Sequence, residues 1–318
     1  MTEPSNPSLT AAVIIVSRNR CRELIRAVQS ALQQKSLSEL LILLDGTSDD
    51  SFRVLKDMFS EEHRLQIYPF NESKGCIYRR NQAATLSSAN IIFSLDDDAT
   101  FSSPETVHQT IRDFIHPNIA AVAIPFVEPE IASSPRQTPP DNEKIYLTDS
   151  FIGTAYAVRR DIFLLLGGFR THLIHQGEES DFCLRLYAAG YVVRLGTAPP
   201  IQHFPSPIRS LERMDYYGVR NTLLFHWQNT PTVYLIPALI HAIARCLLHT
   251  LKPKRLLTRM RGLFDALIII PKIERRPVST KLFKIWRKLR TLGSIATDHI
   301  ILKPLFSPHK SSDYARRS

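Results

Sequence analysis

Short apolar runs alternate along the first half of the chain with longer stretches in which apolar residues recur at helical spacing. The runs have the length of buried strands and lie at residues 11–16, 40–44, 65–68, 91–95 and 119–126. The helical stretches lie between them, at residues 23–34, 51–59, 78–86 and 104–115. This order predicts an α/β fold with a mainly parallel sheet that is covered by helices on both faces.

The pattern is less regular after residue 126. Residues 128–143 are rich in proline, serine and charge, which predicts a mobile loop, and the apolar residues 146–158 predict a further strand. A helix predicted over residues 178–189 begins with acidic side chains, which suit the positive end of a helix dipole. From about residue 231, an apolar stripe at helical spacing predicts amphipathic helices. The stripe consists of Leu235, Ile236, Leu239, Ile240, Ile243, Leu247, Leu248 and Leu251.

These patterns divide the chain into three parts. We expect a flexible lead at residues 1–10, an α/β domain at 11–230 and a basic amphipathic helical region at 231–318. Pro237 is expected to break the first turn of that last region. No stretch of about 18 apolar residues is free of charge, so a membrane-spanning helix is not expected. The first ten residues also lack the pattern of a secretory signal.

Charge differs strongly between the two ends of the 318-residue chain. Residues 1–200 contain 19 Lys and Arg against 24 Asp and Glu, whereas residues 201–318 contain 21 against 6. Such a basic end is typical of proteins that meet anionic lipid, phosphorylated ligands or nucleic acid. A hydrophobic content of 44% excludes a disordered chain. The four cysteines form no CxxC pair, which argues against a disulfide framework or a zinc site and favours a reducing compartment.

Acidic residues cluster where predicted strands end or a helix begins, and ligands of open α/β sheets bind at the carboxyl ends of strands. The clusters are Asp45, then Asp96, Asp97 and Asp98, then Glu178, Glu179 and Asp181. Residues two apart in extended backbone point the same way, so Asp96 and Asp98 can face one point and hold Mg²⁺ or Mn²⁺ while Asp97 faces elsewhere. The alternatives are a solvated acidic turn and, for the third cluster, simple stabilisation of a helix start.

Several short motifs follow one another in a fixed order along residues 10–230. They are VSRNR at 16–20, Asp45 with Ser48 and Asp50, residues 71–75, Arg80 with Asn81, LDDD at 95–98, Gly153, GGF at 167–169, GEESDFCLRL at 177–186, and Gly190 with Tyr191. In this order they resemble a family 2 glycosyltransferase of bacterial surface-polysaccharide type. The resemblance implies the GT-A fold, a Rossmann-like, mainly parallel sheet flanked by helices.

The resemblance also implies roles on the donor side of the site. Asp45 is similar in position to the carboxylate that binds the nucleotide base, Asp96 to the one near the ribose, and Asp98 to the ligand of a divalent cation. The other residues expected to bind the nucleotide sugar are Ser17, Asn19, Arg20, Arg80 and Gly153. His203 lies where relatives often have a histidine near the metal and the diphosphate, although a lone histidine is as often an ordinary surface or core residue.

On the acceptor side, Glu179 matches the position of the acidic general base. Many relatives have Asp after Glu at this point, whereas this chain has Glu178 and Glu179, so Glu178, Glu179 and Asp181 remain candidates. Cleavage of a sugar–phosphate bond loads negative charge onto the leaving diphosphate, which a divalent cation neutralises. A carboxylate on the opposite face takes the proton of the attacking hydroxyl. Such a single displacement inverts the anomeric carbon, as the resemblance implies.

The expected function is therefore metal-dependent, inverting transfer of a sugar from a UDP- or dTDP-sugar to a hydroxyl of a glycan or lipid-linked acceptor. One alternative is a catalytically weak scaffold or partner subunit. Another is a nucleotidyltransferase, which also uses paired aspartates and a cation, although it needs no acceptor base at residues 177–181. The product released from a sugar nucleotide distinguishes the three. A glycosyltransferase releases nucleoside diphosphate, a nucleotidyltransferase releases pyrophosphate, and a scaffold releases neither.

The basic end has three interpretations. We rank an anionic membrane surface first, because an apolar stripe with Lys and Arg suits the membrane interface. A helical region with a solvated basic face follows, and nucleic acid ranks last because no nucleic-acid fold signature is present, so nucleic acid is not an expected partner. The expected location is the cytoplasm, peripheral to the inner face of the cell membrane.

Overall fold

The structure, a computed structural model, describes residues 9–205, 210–248 and 252–297. The strands within these residues are β1 (Ala11–Ser17), β2 (Leu37–Asp45), β3 (Leu65–Phe70), β4 (Ile91–Ser94), β5 (Ala99–Phe101), β6 (Ile119–Ala123), β7 (Phe126–Glu128), β8 (Ala132–Arg136), β9 (Ile145–Leu147), β10 (Tyr156–Arg159), β11 (Val192–Leu195), β12 (Ile201–His203) and β13 (Ile295–Thr297). Most of the predicted lead, residues 1–8, lies outside the described residues.

The helices in the same residues follow the predicted alternation. They are α1 (Cys21–Leu32), α2 (Ser51–Met58), α3 (Cys76–Leu86), α4 (Thr106–Arg112), α5 (Arg160–Leu165), α6 (Glu178–Ala188), α7 (Leu211–Asn229), α8 (Thr232–Leu248), α9 (Pro253–Ile269) and α10 (Thr280–Leu292). Helix α1 buries Leu24, Ala27, Val28 and Ala31, a stripe with the spacing that an amphipathic helix lays on a sheet.

The described strands form one large sheet and one small sheet. The large sheet has the order β13-β9-β11-β6-β10-β4-β1-β2-β3. Only β9 and β10 run against the other seven strands, so the prediction of a mainly parallel sheet is confirmed. Strands β1, β2 and β4 are almost wholly buried, because helices and loops cover both of their faces.

The small sheet has the order β5-β12-β7-β8 and corrects two sequence predictions. Residues 128–143, expected to be a mobile loop, contain β8, which pairs with β7 in an antiparallel ribbon. All five residues of β8 are exposed, and serine, proline and charge are the composition of an exposed edge strand. The run at 119–126 is likewise split, because the chain leaves the large sheet after β6 and enters the small one at β7.

The apolar stretch at 146–158 is also two strands and not one. Strand β9 pairs with β11, and β10 pairs with β4 and β6. The loop between β9 and β10 contains Gly153, which lies at the candidate site described below. A continuous apolar run cannot reveal this break, because the loop residues are themselves largely buried.

The basic C-terminal region packs on the rest of the molecule through α7. Asp215 of α7 forms ion pairs with Arg255 and Arg259 of α9, at 2.6 and 2.7 Å. A Cβ at Gly262 would overlap the carbonyl oxygen of Tyr216, so the close approach of α9 to α7 requires glycine there. Part of the basic charge of the C-terminal region is thus neutralised by ion pairs within the protein. The boundary between residues 230 and 231 stays a prediction, although β13 adds a strand to the large sheet.

Helix α8 continues through Pro237, so the expected break in its first turn is wrong. The missing N–H of a proline leaves a single carbonyl one turn earlier without its helical donor, and that carbonyl belongs to exposed Val233. The predicted stripe divides into a packed row and an exposed row with Ile236 and Ile240. Leu251 and the side chain of Leu247 lie outside the described part of the structure. None of the described helices is both long enough and apolar enough to cross a membrane.

Candidate active site

Strands β1, β2 and β4 are neighbours and parallel, so their carboxyl ends meet at one edge of the sheet. Ser17 ends β1, Asp45 ends β2, and the acidic residues 96–98 follow β4 after Leu95. Asp97 accepts a hydrogen bond of 2.7 Å from the Ser17 hydroxyl, which ties the two strand ends together. The sheet therefore collects the predicted donor-side residues at one place.

The acidic residues 96–98 form a turn rather than the extended segment that the sequence argument assumed. The N–H of Ala99 donates to the carbonyl of Asp96 at 3.1 Å, which closes the turn between β4 and β5. Asp97 is buried and directed to Ser17 and Arg20, and burial raises the pKa of its carboxyl to about 6. Asp96 and Asp98 each place a carboxylate oxygen in one cluster that excludes Asp97, as expected, but a turn and not an extended segment brings them together.

Asp96 and Asp98 meet His203, the last residue of β12. One potential ligand atom from each of the three residues lies within 4.8 Å of the others. Two carboxylate oxygens and one imidazole form a donor set that suits Mn²⁺ or Mg²⁺, so these residues fit the expected divalent cation. The imidazole Nε2 is 3.2 Å from Asp98 Oδ1. Burial opposes the charged form of His203, but the hydrogen bond and charge of Asp98 raise the pKa of the imidazole.

The other ring nitrogen of His203 contacts Glu128, a residue that the sequence analysis did not single out. The distance from Nδ1 to Glu128 Oε1 is 3.1 Å, and Glu128 also pairs with Arg136 at 2.7 Å. A carboxylate on the second nitrogen fixes the ring orientation and the tautomer of a metal-binding histidine. The sequence contains no signal for this contact, because the two residues are 75 positions apart.

Arg20 and Asn19 organise the loop after β1. Arg20 forms ion pairs with Asp97 and Asp98, at 2.7 and 2.8 Å, and despite burial these carboxylates raise the pKa of the guanidinium. Asn19 adopts a left-handed backbone, with φ of 55°, and its amide oxygen accepts a bond of 2.8 Å from the N–H of Ser48. Both residues lie at the predicted edge, where they hold neighbouring loops.

Asp45 is already saturated with protein donors. Burial opposes its charge, yet four hydrogen bonds hold the pKa of its carboxyl below the usual range. The donors, all at 2.7–2.9 Å, are Ser73 Oγ, the N–H groups of Lys74 and Gly75, and Arg79 Nε. Asp45 therefore anchors residues 73–79 to the sheet, and its role in binding a base stays a prediction.

Arg80, near the start of α3, connects the predicted donor side with the acidic start of α6. Its guanidinium contacts Asp96 at 2.7 Å and Glu178 at 3.5 Å, and the side chain is buried. A Cβ built on Gly153 would lie 2.7 Å from Glu179 Oε1 and 3.1 Å from Arg80 Nη1. The absence of a side chain at Gly153 thus leaves room for both groups.

The three acidic residues at the start of α6 have different surroundings. Asp181 is fully buried and pairs with Arg170 at 2.6 Å and Arg185 at 2.9 Å. Glu178 is 5% exposed, and burial, together with the charge of Glu179, raises the pKa of its carboxyl to about 8. Burial also raises the pKa of the partly exposed Glu179. Asp181 is therefore committed to its arginines, whereas the two glutamates are available for proton transfer.

Residues 12–168 match the family model described as glycosyl transferase family 2. Among curated proteins, a glucosyl-dolichyl phosphate glucuronosyltransferase of Haloferax volcanii is 26% identical over 200 residues, which span 56% of this chain and 63% of that protein. The succinoglycan biosynthesis protein ExoU of Rhizobium meliloti is 33% identical over 114 residues, 35% of this chain and 33% of that protein. The alignments thus leave more than a third of each relative unmatched.

Solved structures have the same fold at low sequence identity. Mannosyltransferase PcManGT from Pyrobaculum calidifontis, in complex with GDP-Man and Mn²⁺, is 17% identical with a TM-score of 0.55, over 90% of this chain and 80% of that one. S. aureus TarS in complex with UDP-GlcNAc is 12% identical with a TM-score of 0.61, over 89% and 88% of the two chains. The fold is GT-A, and residues 12–168, about half of the chain, belong to glycosyl transferase family 2.

Proposed function

We propose that this protein transfers a sugar from a nucleoside-diphosphate donor to an acceptor hydroxyl, with inversion at the anomeric carbon. The observation that carries the proposal is the position of Arg80, which contacts Asp96 of the metal-capable cluster and Glu178 of the acidic pair. A site for the diphosphate and a site for the acceptor hydroxyl are thereby adjacent. An inverting transfer needs both at once.

On the donor side, Asp96, Asp98 and His203 would hold Mg²⁺ or Mn²⁺. When bound, the cation neutralises the negative charge that develops on the leaving diphosphate. Arg20, at 2.8 Å from Asp98, keeps that carboxylate oriented. Ser17, Asn19, Asp45 and Gly153 complete the donor side, at the strand ends and loops around this cluster.

On the acceptor side, Glu179 is the base. The acceptor O–H gives its proton to the Glu179 carboxylate while the acceptor oxygen bonds to the anomeric carbon. The bond between the anomeric carbon and the diphosphate breaks, and its electron pair leaves on the diphosphate oxygen. Glu179 is favoured over Glu178 because it is partly exposed beside Gly153, whereas Glu178 is buried against Arg80. The raised pKa of Glu179 makes it a stronger base than an ordinary glutamate.

The similar proteins support a donor and an acceptor class. One curated relative is named for glucosyl-dolichyl phosphate and another for succinoglycan, and the solved structures contain GDP-Man or UDP-GlcNAc. We infer a UDP- or dTDP-sugar as donor and a glycan or lipid-linked acceptor. The test is release of nucleoside diphosphate from a panel of sugar nucleotides with Mn²⁺. Release of pyrophosphate instead indicates nucleotidyl transfer, and release of neither indicates a scaffold.

We further propose that α8 and α9 rest on the cytoplasmic face of an anionic membrane. Ile240 of α8 is 63% exposed and Phe264 of α9 is 67% exposed, and each has apolar neighbours on its own helix face, Ile236 and Met260. Lys252, at the start of α9, adds positive charge nearby. Apolar side chains flanked by basic ones are the chemistry of an interfacial helix, and a lipid-linked acceptor would be presented at that surface.

Vesicle co-sedimentation of the full chain tests this surface. We expect binding to anionic but not neutral vesicles, with partial release by salt, because each basic residue contributes ~1 kcal/mol that salt screens. Ile240→Asp with Phe264→Asp should abolish pelleting. Met58→Asp, at a half-exposed apolar residue of α2, is the matched control and should leave it unchanged. Equal pelleting of both variants favours a merely solvated basic face.

A further inference from the structure

The backbone immediately before the acidic pair is held in an unfavourable conformation. Ile174, Gln176 and Gly177 all have positive φ, at 61°, 67° and 85°. Glycine tolerates this region, but a branched residue such as Ile174 adopts it only when the surroundings impose it. Since Glu178 begins α6 directly after this segment, the loop at residues 173–177 sets where the two candidate acceptor-side carboxyls lie.

One side chain of α7 imposes this conformation. The amide Nδ2 of Asn221 lies 2.7 Å from each of the carbonyl oxygens of Leu173, His175 and Gln176, so its two N–H groups are shared among three acceptors. Asn221 is buried, and its Cβ would lie 3.7 Å from a Cβ on Gly177. A single amide thus binds three carbonyls of a loop in which Ile174, Gln176 and Gly177 have positive φ.

Arg220 fixes the orientation of that amide. Arg220 Nη1 donates to Asn221 Oδ1 at 2.7 Å and to the carbonyl of His172 at 2.9 Å. The oxygen end of Asn221 is therefore occupied, and the NH₂ end is the one that faces the loop. Arg220 is itself held by Asp265 of α9 at 2.8 Å, so the C-terminal helices support the contact from behind.

We propose that Asn221 is a positioning residue, which holds the Glu178–Glu179 pair at the distance from the donor that transfer requires. This inference rests on the proposed function, because it assigns the pair its role. Asn221 touches neither carboxyl in the described contacts and acts through the loop at residues 173–177. A displacement of about 1 Å at a reacting group can cost ~10²-fold in rate, so a loosened loop affects turnover more than donor binding.

The test compares Asn221→Ala and Asn221→Asp with Leu223→Ala. Both Asn221 variants remove the N–H donors and only one adds charge, so an effect common to both reports the lost donors. Leu223 lies on the same helix and is buried, so its truncation destabilises α7 without removing a loop hydrogen bond. We expect kcat to fall ~10- to 100-fold in both Asn221 variants, a change in the acid limb of the pH–rate profile, and affinity for nucleoside diphosphate with Mn²⁺ within about twofold.

Leu223→Ala should lower the Tm yet keep kcat and the pH profile. If Leu223→Ala loses as much kcat as the Asn221 variants, Asn221 has only a structural role and the proposal is overturned. Hydrogen exchange on the wild-type chain needs no variant. We expect slow exchange of the backbone N–H groups of residues 173–177, because a loop held by Asn221 opens rarely. Exchange as fast as in an exposed loop means that Asn221 does not hold this loop. A wild-type chain that releases no nucleoside diphosphate overturns the proposed function instead. The exchange result then still decides whether Asn221 holds the loop at residues 173–177.

Discussion

The carboxylates on the two sides of Arg80 differ in how they are paired. On the donor side, Asp97 and Asp98 each lie within 2.8 Å of Arg20, and Asp96 lies 2.7 Å from Arg80. On the acceptor side, Glu178 reaches Arg80 only at 3.5 Å, and its Oε2 is buried without a hydrogen-bond partner among the described residues. Two acidic clusters that look alike in the sequence are thus different electrostatic sites.

In the proposed function, this difference separates donor binding from proton transfer. Although burial opposes it, hydrogen bonds from His203 and Arg20 hold the pKa of Asp98 below its ordinary value, so Asp98 is ionised and ready for a cation. Burial with little compensation raises the pKa of both glutamates, which favours uptake of a proton. The donor side should therefore respond to loss of charge through binding, and the acceptor side through rate.

The largest effect is expected for Glu179→Gln. The amide keeps the shape of the side chain but cannot accept the proton of the acceptor, so kcat should fall ~10²- to 10⁴-fold. Binding of nucleoside diphosphate with Mn²⁺, measured by calorimetry, should remain nearly unchanged. Glu178→Gln is the matched control and should retain much more activity. If Glu178→Gln is the crippled variant, Glu178 is the base and the assignment within the pair is wrong.

A loss of binding is expected for Asp98→Asn. The substitution removes one anionic ligand of the cluster, so Mn²⁺ and nucleoside diphosphate should both bind at least ~100-fold more weakly, beyond the usual cost of a supporting contact. Asp97→Asn should do much less, because Asp97 offers no ligand atom to the cluster and reaches it only through Arg20, which also pairs with Asp98. Calorimetric titration of Mn²⁺ into each variant measures the affinity. Equal losses of Mn²⁺ affinity in the two variants contradict the metal assignment.

The sequence predicts the large sheet and the position of the acidic clusters because both depend on local patterns. Buried strands need apolar runs, and a strand that ends in polar residues brings them to the edge of the sheet, as with Asp45 and Asp96. It does not predict Glu128 or Asn221, since their contacts join segments 75 and 45 to 48 positions apart. Such contacts depend on how whole elements pack, which periodicity does not encode.

A smaller effect on binding is expected when the support of His203 is removed. Glu128→Ala takes away the carboxylate 3.1 Å from Nδ1, so the imidazole loses its fixed orientation and Mn²⁺ should bind ~10- to 100-fold more weakly. Arg136→Met removes a second partner of Glu128 and is the control, with Mn²⁺ affinity expected to be unchanged. Similar losses in both variants indicate that the β7–β8 ribbon as a whole supports the site, rather than Glu128.

The smallest effect is a pH-dependent gain in stability for Glu178→Gln, measured without metal. The folded pKa of about 8 lies above the ordinary 4.5, so between these values the folded state holds a proton that the unfolded state lacks. The stability of the wild type therefore falls as pH rises through this window, whereas glutamine has no proton to lose. Arg80, Glu179 and Asp96 are the charged groups that act on this carboxyl.

Thermal melts of the two proteins at pH 5 and pH 8 make this comparison. At pH 8 the variant should melt a few °C higher than the wild type, since ~1 kcal/mol corresponds to roughly 2–4 °C in a protein of this size class. At pH 5 the two curves should nearly coincide, because Glu178 is then protonated and resembles glutamine. If the variant melts lower than the wild type at pH 8 but not at pH 5, Arg80 stabilises an ionised Glu178. The two sides of Arg80 would then be electrostatically alike, and the division between binding and proton transfer would rest on Glu179 alone.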